Sequence, residues 1–135
     1  MRPVFHNLRK PDSTMPDFTH LHVHTHFSIL DGASKISSLI ETAKGFGMDA
    51  LAVTDHGNLF GALKFYMEAK KQGIKPIIGC EVYVATEGRE SRDKILGRSS
   101  NNLILLSKDL EGYQNLSLLV SLGYIEGFNY VQRVD

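Results

Sequence analysis

Apolar and polar positions along this chain switch between two periods. Residues 18–24, FTHLHVH, change character at every second position, the spacing of a strand whose two faces differ. Ile36, Leu39, Ile40, Ala43 and Phe46 then recur at helical spacing behind Ser34, a residue type that caps helix starts, and Gly47 supplies a stop. Residues 50–54 are apolar until Thr54, as expected of a strand covered on both faces. Asn58 can cap a second helix that runs to Gln72 and stops at Gly73, and Ile77 and Ile78 open a third strand that extends to Val84. Residues 87–98 are charged and predict a solvated loop, Leu103 to Leu106 predict a fourth strand, and Asp109 caps a third helix to about Leu122. Residues 1–17, with Pro3, Pro11 and Pro16, predict an extension without a packed element.

Strands alternating with helices imply right-handed crossovers, hence an α/β fold with about four parallel strands and three helices. Periodicity leaves a barrel and an open doubly wound sheet both available. In either architecture functional side chains gather at the C-terminal ends of strands.

Composition narrows the class of protein. A chain of 135 residues with 42% hydrophobic content is one domain or part of one, with enough apolar material for a core. No run approaches the eighteen or so apolar residues of a membrane helix, and MRPVFHNLRKPDSTMPDF lacks the apolar stretch of a secretory signal. The single cysteine, Cys80, cannot form an intramolecular disulfide, which fits a reducing compartment, so a cytoplasmic location is expected, with no membrane partner. Lys plus Arg equals Asp plus Glu at 15 each, so no global positive field draws duplex DNA, and any nucleic-acid contact must be local.

Candidate chemistry concentrates in HLHVHTH, residues 20–26, which holds four of the six histidines. On a strand His20, His22, His24 and His26 share one face, and neighbours two apart lie roughly 6.6 Å apart at the backbone. The run from His20 to His26 spans about 20 Å, too long for one cluster, so His22 and His24, near the strand's C-terminal end, are the candidate pair. Asp55 and His56 follow the second strand in AVTDHGN, Glu81 follows the third in IIGCEVY, and Asp31 lies in LDG after the first. Imidazole and carboxylate groups at three successive strand ends predict one shared metal site. A mixed nitrogen and oxygen set suits zinc, manganese or iron better than calcium. Each residue also has a plainer reading: an edge-strand face for the histidines, a turn or helix cap for Asp55, a turn for Asp31, a lysine pair for Glu81. Cys80, beside Glu81, would point to the opposite face as a small buried hydrophobe.

The stretches HLHVHTHFSILDGASK, AVTDHGNLFGALKFYMEAKKQGIKPIIGCEVYV and LILLSKDLEGYQNL together resemble the polymerase and histidinol phosphatase (PHP) domain at the N-terminus of bacterial DNA polymerase III alpha subunits. The resemblance runs from about residue 18 to the end, and the long block after TDHG separates the polymerase branch from the histidinol phosphatases. It implies that residues 18–135 are the N-terminal half of such a domain, a partial (β/α)7 distorted TIM-type barrel. It further implies metal ligands at His22, His24, Asp31, His56 and Glu81, with Asp55 in the same motif. Where the family has a histidine before the fourth strand this chain has Asn102, and a neutral amide binds zinc-type ions poorly beside imidazole. An intact domain would take two or three divalent ions, zinc or manganese, for phosphoester hydrolysis.

What the resemblance implies about biology follows from the longer parent: DNA replication and nucleotidyl transfer on DNA, with other replisome subunits as partners. Within the domain itself the alternatives are a 3′–5′ exonuclease or a non-catalytic module that docks a separate proofreading exonuclease, and Asn102 favours the second. A free-standing histidinol-phosphatase-like enzyme is the third, disfavoured by the block over residues 58–84. The fragment alone is expected to be inactive. Its sheet should have an open edge after the fourth strand, hidden by dimerisation, rearrangement or docking of the tail.

Overall fold

A computed structural model describes residues 18–92 and 100–135, so the predicted extension over residues 1–17 and part of the charged loop, residues 93–99, lie outside the described residues. The elements in chain order are α1 (Ile36–Gly45), β1 (Ala50–Val53), α2 (Ala62–Gln72), β2 (Lys75–Ala85), β3 (Ser100–Leu106), α3 (Leu110–Ile125), β4 (Phe128–Asn129) and β5 (Val131–Val134). Among the described residues no helix is long and apolar enough to cross a membrane.

Each helix buries one stripe of side chains. Ile36, Ile40 and Ala43 of α1 and Ala62, Phe65 and Ala69 of α2 recur every three or four residues, the spacing that keeps side chains on one helix face. They close on Leu51 and Val53, which share one face of β1, and on Ile74, forming one apolar cluster with Val23 and Phe27 at its margin. Phe65 is 1% exposed, and its burial contributes about 1.5–3 kcal/mol. Leu116 and Val120 of α3 meet Cys80 and Val82 of β2 and Val134 of β5 in a second cluster. Gly73 ends α2 in the left-handed region at φ 80°, where a residue without Cβ pays no steric penalty.

β2 organises the sheet because it is long enough to serve three partners. Its first residues pair in parallel with β1, from Ala50↔Lys75 to Val53↔Ile78. Its second part pairs with β3 from Gly79↔Leu106 to Ala85↔Ser100, and this pairing is antiparallel, against the mainly parallel expectation. The reason lies in the link: residues 86–99 carry no helical pattern, and a parallel partner would need a crossover, usually a helix. On the edge of β2 opposite β3, an isolated parallel bridge His56↔Glu81 prolongs the line of β1, and β5 follows in parallel at Tyr83↔Arg133 and Val84↔Val134. The α/β class and three helices hold, in a mixed five-stranded sheet that is open and consistent with part of a distorted barrel.

Other expectations shift at their edges. Residues 18–24 are extended but form no regular strand. His20 and Val23 carbonyls accept from Ala52 and Thr54 N–H at 3.0 and 2.8 Å, with a one-residue slip between the two pairs. The Thr54 hydroxyl takes the Val23 N–H at 2.9 Å, so a side chain replaces a ladder bond. Ser34 is not the cap of α1; Lys35 holds that position without a side-chain bond, and the Ser34 carbonyl accepts from His26 N–H at 3.0 Å. Asn58 does not cap α2, which starts at Ala62. Its Oδ1 accepts from Phe60 N–H at 3.1 Å, and its Nδ2 donates to the Phe27 and His56 carbonyls at 3.2 and 2.9 Å. Asp109 does cap α3, its Oδ1 accepting from Gly112 N–H at 2.9 Å. The β4–β5 hairpin was not predicted; it turns at Tyr130, φ 68°, and docks the tail onto β2.

Candidate metal centre

The extended segment bearing His22 and His24 runs beside β1, and β1 runs beside β2, so both imidazoles reach Glu81 on β2. Each Nε2 lies 2.7 Å from Glu81 Oε2, and the two Nε2 atoms are 3.2 Å apart. Glu81 is 5% exposed, whereas the His22 side chain is 52% exposed, so the cluster is anchored inside and open on one side. The parallel bridge to Glu81 brings in His56. Its ring lies 4.1 Å from that of His24, its Nε2 is 3.3 Å from Asp31 Oδ2, and its Nδ1 is 3.9 Å from Glu81 Oε2. That last distance is too long for a hydrogen bond, and His56 Nδ1 is buried without a partner.

Glu81 keeps its charge despite burial. Burial pushes its carboxyl up, but the Asn102 amide, then His22 and His24, then the nearby His56 together hold it below the usual carboxylate range. Asn102 donates from Nδ2 to Glu81 Oε1 at 2.6 Å, which leaves Oε2 to the two histidines.

The fit of a metal ion rests on this arrangement. Two imidazole nitrogens converge on one carboxylate oxygen; with Nε2 protonated they donate to it, and with Nε2 bare they and the carboxylate offer three electron pairs to a shared cation. The three ligand atoms lie within 4.8 Å of one another. Donors around one tetrahedral ion at 2.0–2.2 Å sit roughly 3.3 Å apart, the scale observed here. The unpartnered His56 Nδ1 adds a buried polar atom with unused capacity.

Asp55, considered at first with the ligands, faces elsewhere. Its Oδ1 accepts from Thr25 N–H at 2.6 Å and the Ser28 hydroxyl at 2.7 Å, and its Oδ2 from the Thr25 hydroxyl at 2.8 Å. Asp31 stands at the rim with its side chain 60% exposed and reaches His56 alone in the cluster. His26 lies against the Ser34 carbonyl at 3.3 Å and His20 packs edge-on against Phe18, both apart from the cluster. Cys80 points away from Glu81, fully buried, its thiol donating to the Asp55 carbonyl at 3.3 Å and pushed up to about 12 by burial.

Sequence reasoning missed three neighbours. Tyr83 stacks on His56 at 5.8 Å with 12° between planes; it shares the face of Glu81 two residues on, a signal available from strand alternation. Thr25 and Ser28 had no signal beyond lying between ligand candidates. The glycine of the DHG turn, Gly57, is open to reading as a turn residue: its φ of 57° strains any residue with a Cβ, and the Gln132 side chain lies against it.

The fold gathers histidines and a buried glutamate at the ends of neighbouring strands, which defines an α/β domain with a candidate metal centre. Residues 20–135 match the model of the PHP domain, and the chain belongs to that family. Within the family it is similar to DNA polymerase III subunit alpha of Borreliella burgdorferi, 56% identical over 119 residues that make up 87% of this chain and 10% of that protein. The same subunit of Treponema pallidum is 54% identical over 119 residues, and that of Aquifex aeolicus 50% over 125. The chain thus spans about a tenth of the length of these relatives, between 10% and 11%. Among solved structures, a metal-dependent phosphoesterase from Bifidobacterium adolescentis superposes with TM-score 0.57 at 21% identity, over 78% of this chain and 33% of that one. An amidohydrolase from Chromobacterium violaceum gives TM-score 0.51 at 24% identity, over 75% and 32%. At these identities both likenesses carry the fold alone.

Proposed function

We propose that residues 18–135 form the N-terminal half of the PHP domain of a replicative DNA polymerase III alpha subunit, behind an extension over residues 1–17, and that His22, His24 and Glu81 hold a divalent metal ion for phosphoester hydrolysis. The observation that carries this reading is the single oxygen, Glu81 Oε2, at 2.7 Å from both imidazole Nε2 atoms. His56 and Asp31 would extend the site toward two or three ions of the zinc or manganese type. A bound ion of this kind ionises water near neutral pH and neutralises phosphoryl charge. The chain's own groups do the rest. Glu81 holds negative charge at the floor, Asn102 fixes its orientation, and the exposed side at His22 admits a phosphodiester end. The parent polymerase would work in the cytoplasm on DNA, with other replisome subunits as partners, and this half-site alone would be inactive.

A second reading is supported by Asn102, whose amide is committed to Glu81 and offers no imidazole. On that reading the domain is a non-catalytic module that docks a proofreading exonuclease. Metal analysis of the purified chain and His24→Ala, joined to 3′-end degradation of a single-stranded primer by the full-length polymerase, separates the two. The enzyme reading expects bound divalent metal that falls severalfold in His24→Ala, and degradation lost with it; a chain that holds no metal leaves the docking module. We also propose that the β3 edge pairs with a second copy when this chain is alone.

A further inference from the structure

Asp55 is 2% exposed, and its carboxylate accepts three hydrogen bonds, all from the loop that follows His24. The donors are two residues, Thr25 and Ser28, 1% and 3% exposed. Thr25 is the chain neighbour of His24, and Asp55 that of His56. The Ser28 hydroxyl does more than donate to Asp55 Oδ1 at 2.7 Å; it accepts the His56 backbone N–H at 3.1 Å. One carboxylate and one hydroxyl therefore tie together the two segments on which facing imidazoles sit, His24 and His56, with rings 4.1 Å apart. The loop is fixed at its far end too. Asp31 and Gly32 N–H donate to the Ser28 carbonyl at 2.9 and 2.6 Å, and a Cβ at Gly32 would lie 1.8 Å from the Thr25 carbonyl oxygen.

Closing an apolar core needs no carboxylate at this place. Taking one out of water without partners is costly, and an apolar side chain of similar size is often as stable or more so. What a buried acceptor adds is direction, since three donors must converge on it and can do so in one register only.

Resting on the metal reading above, we propose that Asp55 and Ser28 are positioning residues that set His24 and His56 in register for a shared metal site, and that Asp55 is not itself a ligand. Groups that orient metal ligands from behind typically change affinity 10- to 100-fold when removed. Asp55→Asn keeps the size but turns at least one N–H toward a donor, and Ser28→Ala deletes the hydroxyl that joins Asp55 to His56.

The test is titration of the full chain with Co2+ in a chelator-buffered solution, read by visible d–d absorption, with far-UV circular dichroism checking that each variant is folded. Ser28→Ala and Asp55→Asn are expected to bind Co2+ at least 10-fold more weakly than the parent chain, with an altered absorption envelope. Thr25→Val should weaken binding and Thr25→Ser should restore it, which keeps the test open if either first variant fails to fold. Folded variants that bind as tightly as the parent, with an unchanged envelope, overturn the inference and leave the metal reading standing. A parent chain that binds no Co2+ overturns both.

Discussion

At Cys80 one atom is surrounded on every side, with Asp55, Glu81 and the second apolar cluster as neighbours. Burial, more than the carboxylates nearby, drives its thiol up to about 12 from the ordinary 9.0. The thiolate is the reactive form, so alkylation by iodoacetamide at pH 8 should run at least about 100-fold slower in the folded chain than in the denaturant-unfolded one. The sign of the pH effect follows. A group whose pKa is raised by folding stabilises the fold fully below its unfolded value, and that contribution is lost as pH rises through the window from about 9 to about 12. Denaturant melts across that window should therefore show stability falling more steeply in the parent chain than in Cys80→Ala. Equal slopes would place the thiol in a wetter environment than the structure does.

At the scale of elements, α2 is the helix on which the first cluster depends, because Phe65 is the one fully buried aromatic ring of that cluster among the described residues. Phe65→Ala is expected to cost about 3–5 kcal/mol, a loss visible as a lower denaturation midpoint with an unchanged slope. The stripe of α1 is plain in the bare sequence, where Ile36, Ile40 and Ala43 keep helical spacing and are buried, while Leu39 of the same set is half-buried and Phe46, past the helix end, is exposed. The starts of α1 and α2 are less plain. Ser34 and Asn58 are good capping types, yet their polar groups are drawn into the loops around the metal candidates, a tertiary demand that local pattern does not record. The direction of β3 could have been read from the helix-free link before it. The strands β4 and β5 could not, being two and four residues long with no alternation to detect. The site divides the same way: His22, His24, His56 and Glu81 are brought together from residue types and strand ends, whereas the inward turn of Asp55 depends on donors whose approach only the folded loop sets.

At the scale of the whole molecule, the chain belongs to the PHP family but covers a tenth of its polymerase relatives, 10% of the Borreliella burgdorferi subunit. Its sheet is open. The tail docks as β4–β5 on one edge of β2, while on the other edge β3, among the described residues, pairs with β2 alone and carries Leu103 at 49% and Leu106 at 40% exposure. An unpaired strand of this kind is a template for another copy. Light scattering at increasing concentration should detect dimers of the chain, and Leu103→Lys, which places a charge on that strand, should return it to monomer. A parent chain monomeric at all concentrations would show the edge covered from within.

The crowding of Gly57 by Gln132 links the metal turn to the last few residues of the chain. A side chain at 57 would have to push the Gln132 side chain aside, and would still meet the strain of the left-handed backbone. Shortening Gln132 to alanine would open the space yet keep the left-handed backbone, φ 57°. Asparagine or aspartate, the non-glycine types most at ease in that conformation, would be the least strained substitutions there. The backbone at 57 thus restricts the residue there more firmly than the neighbour at 132 does.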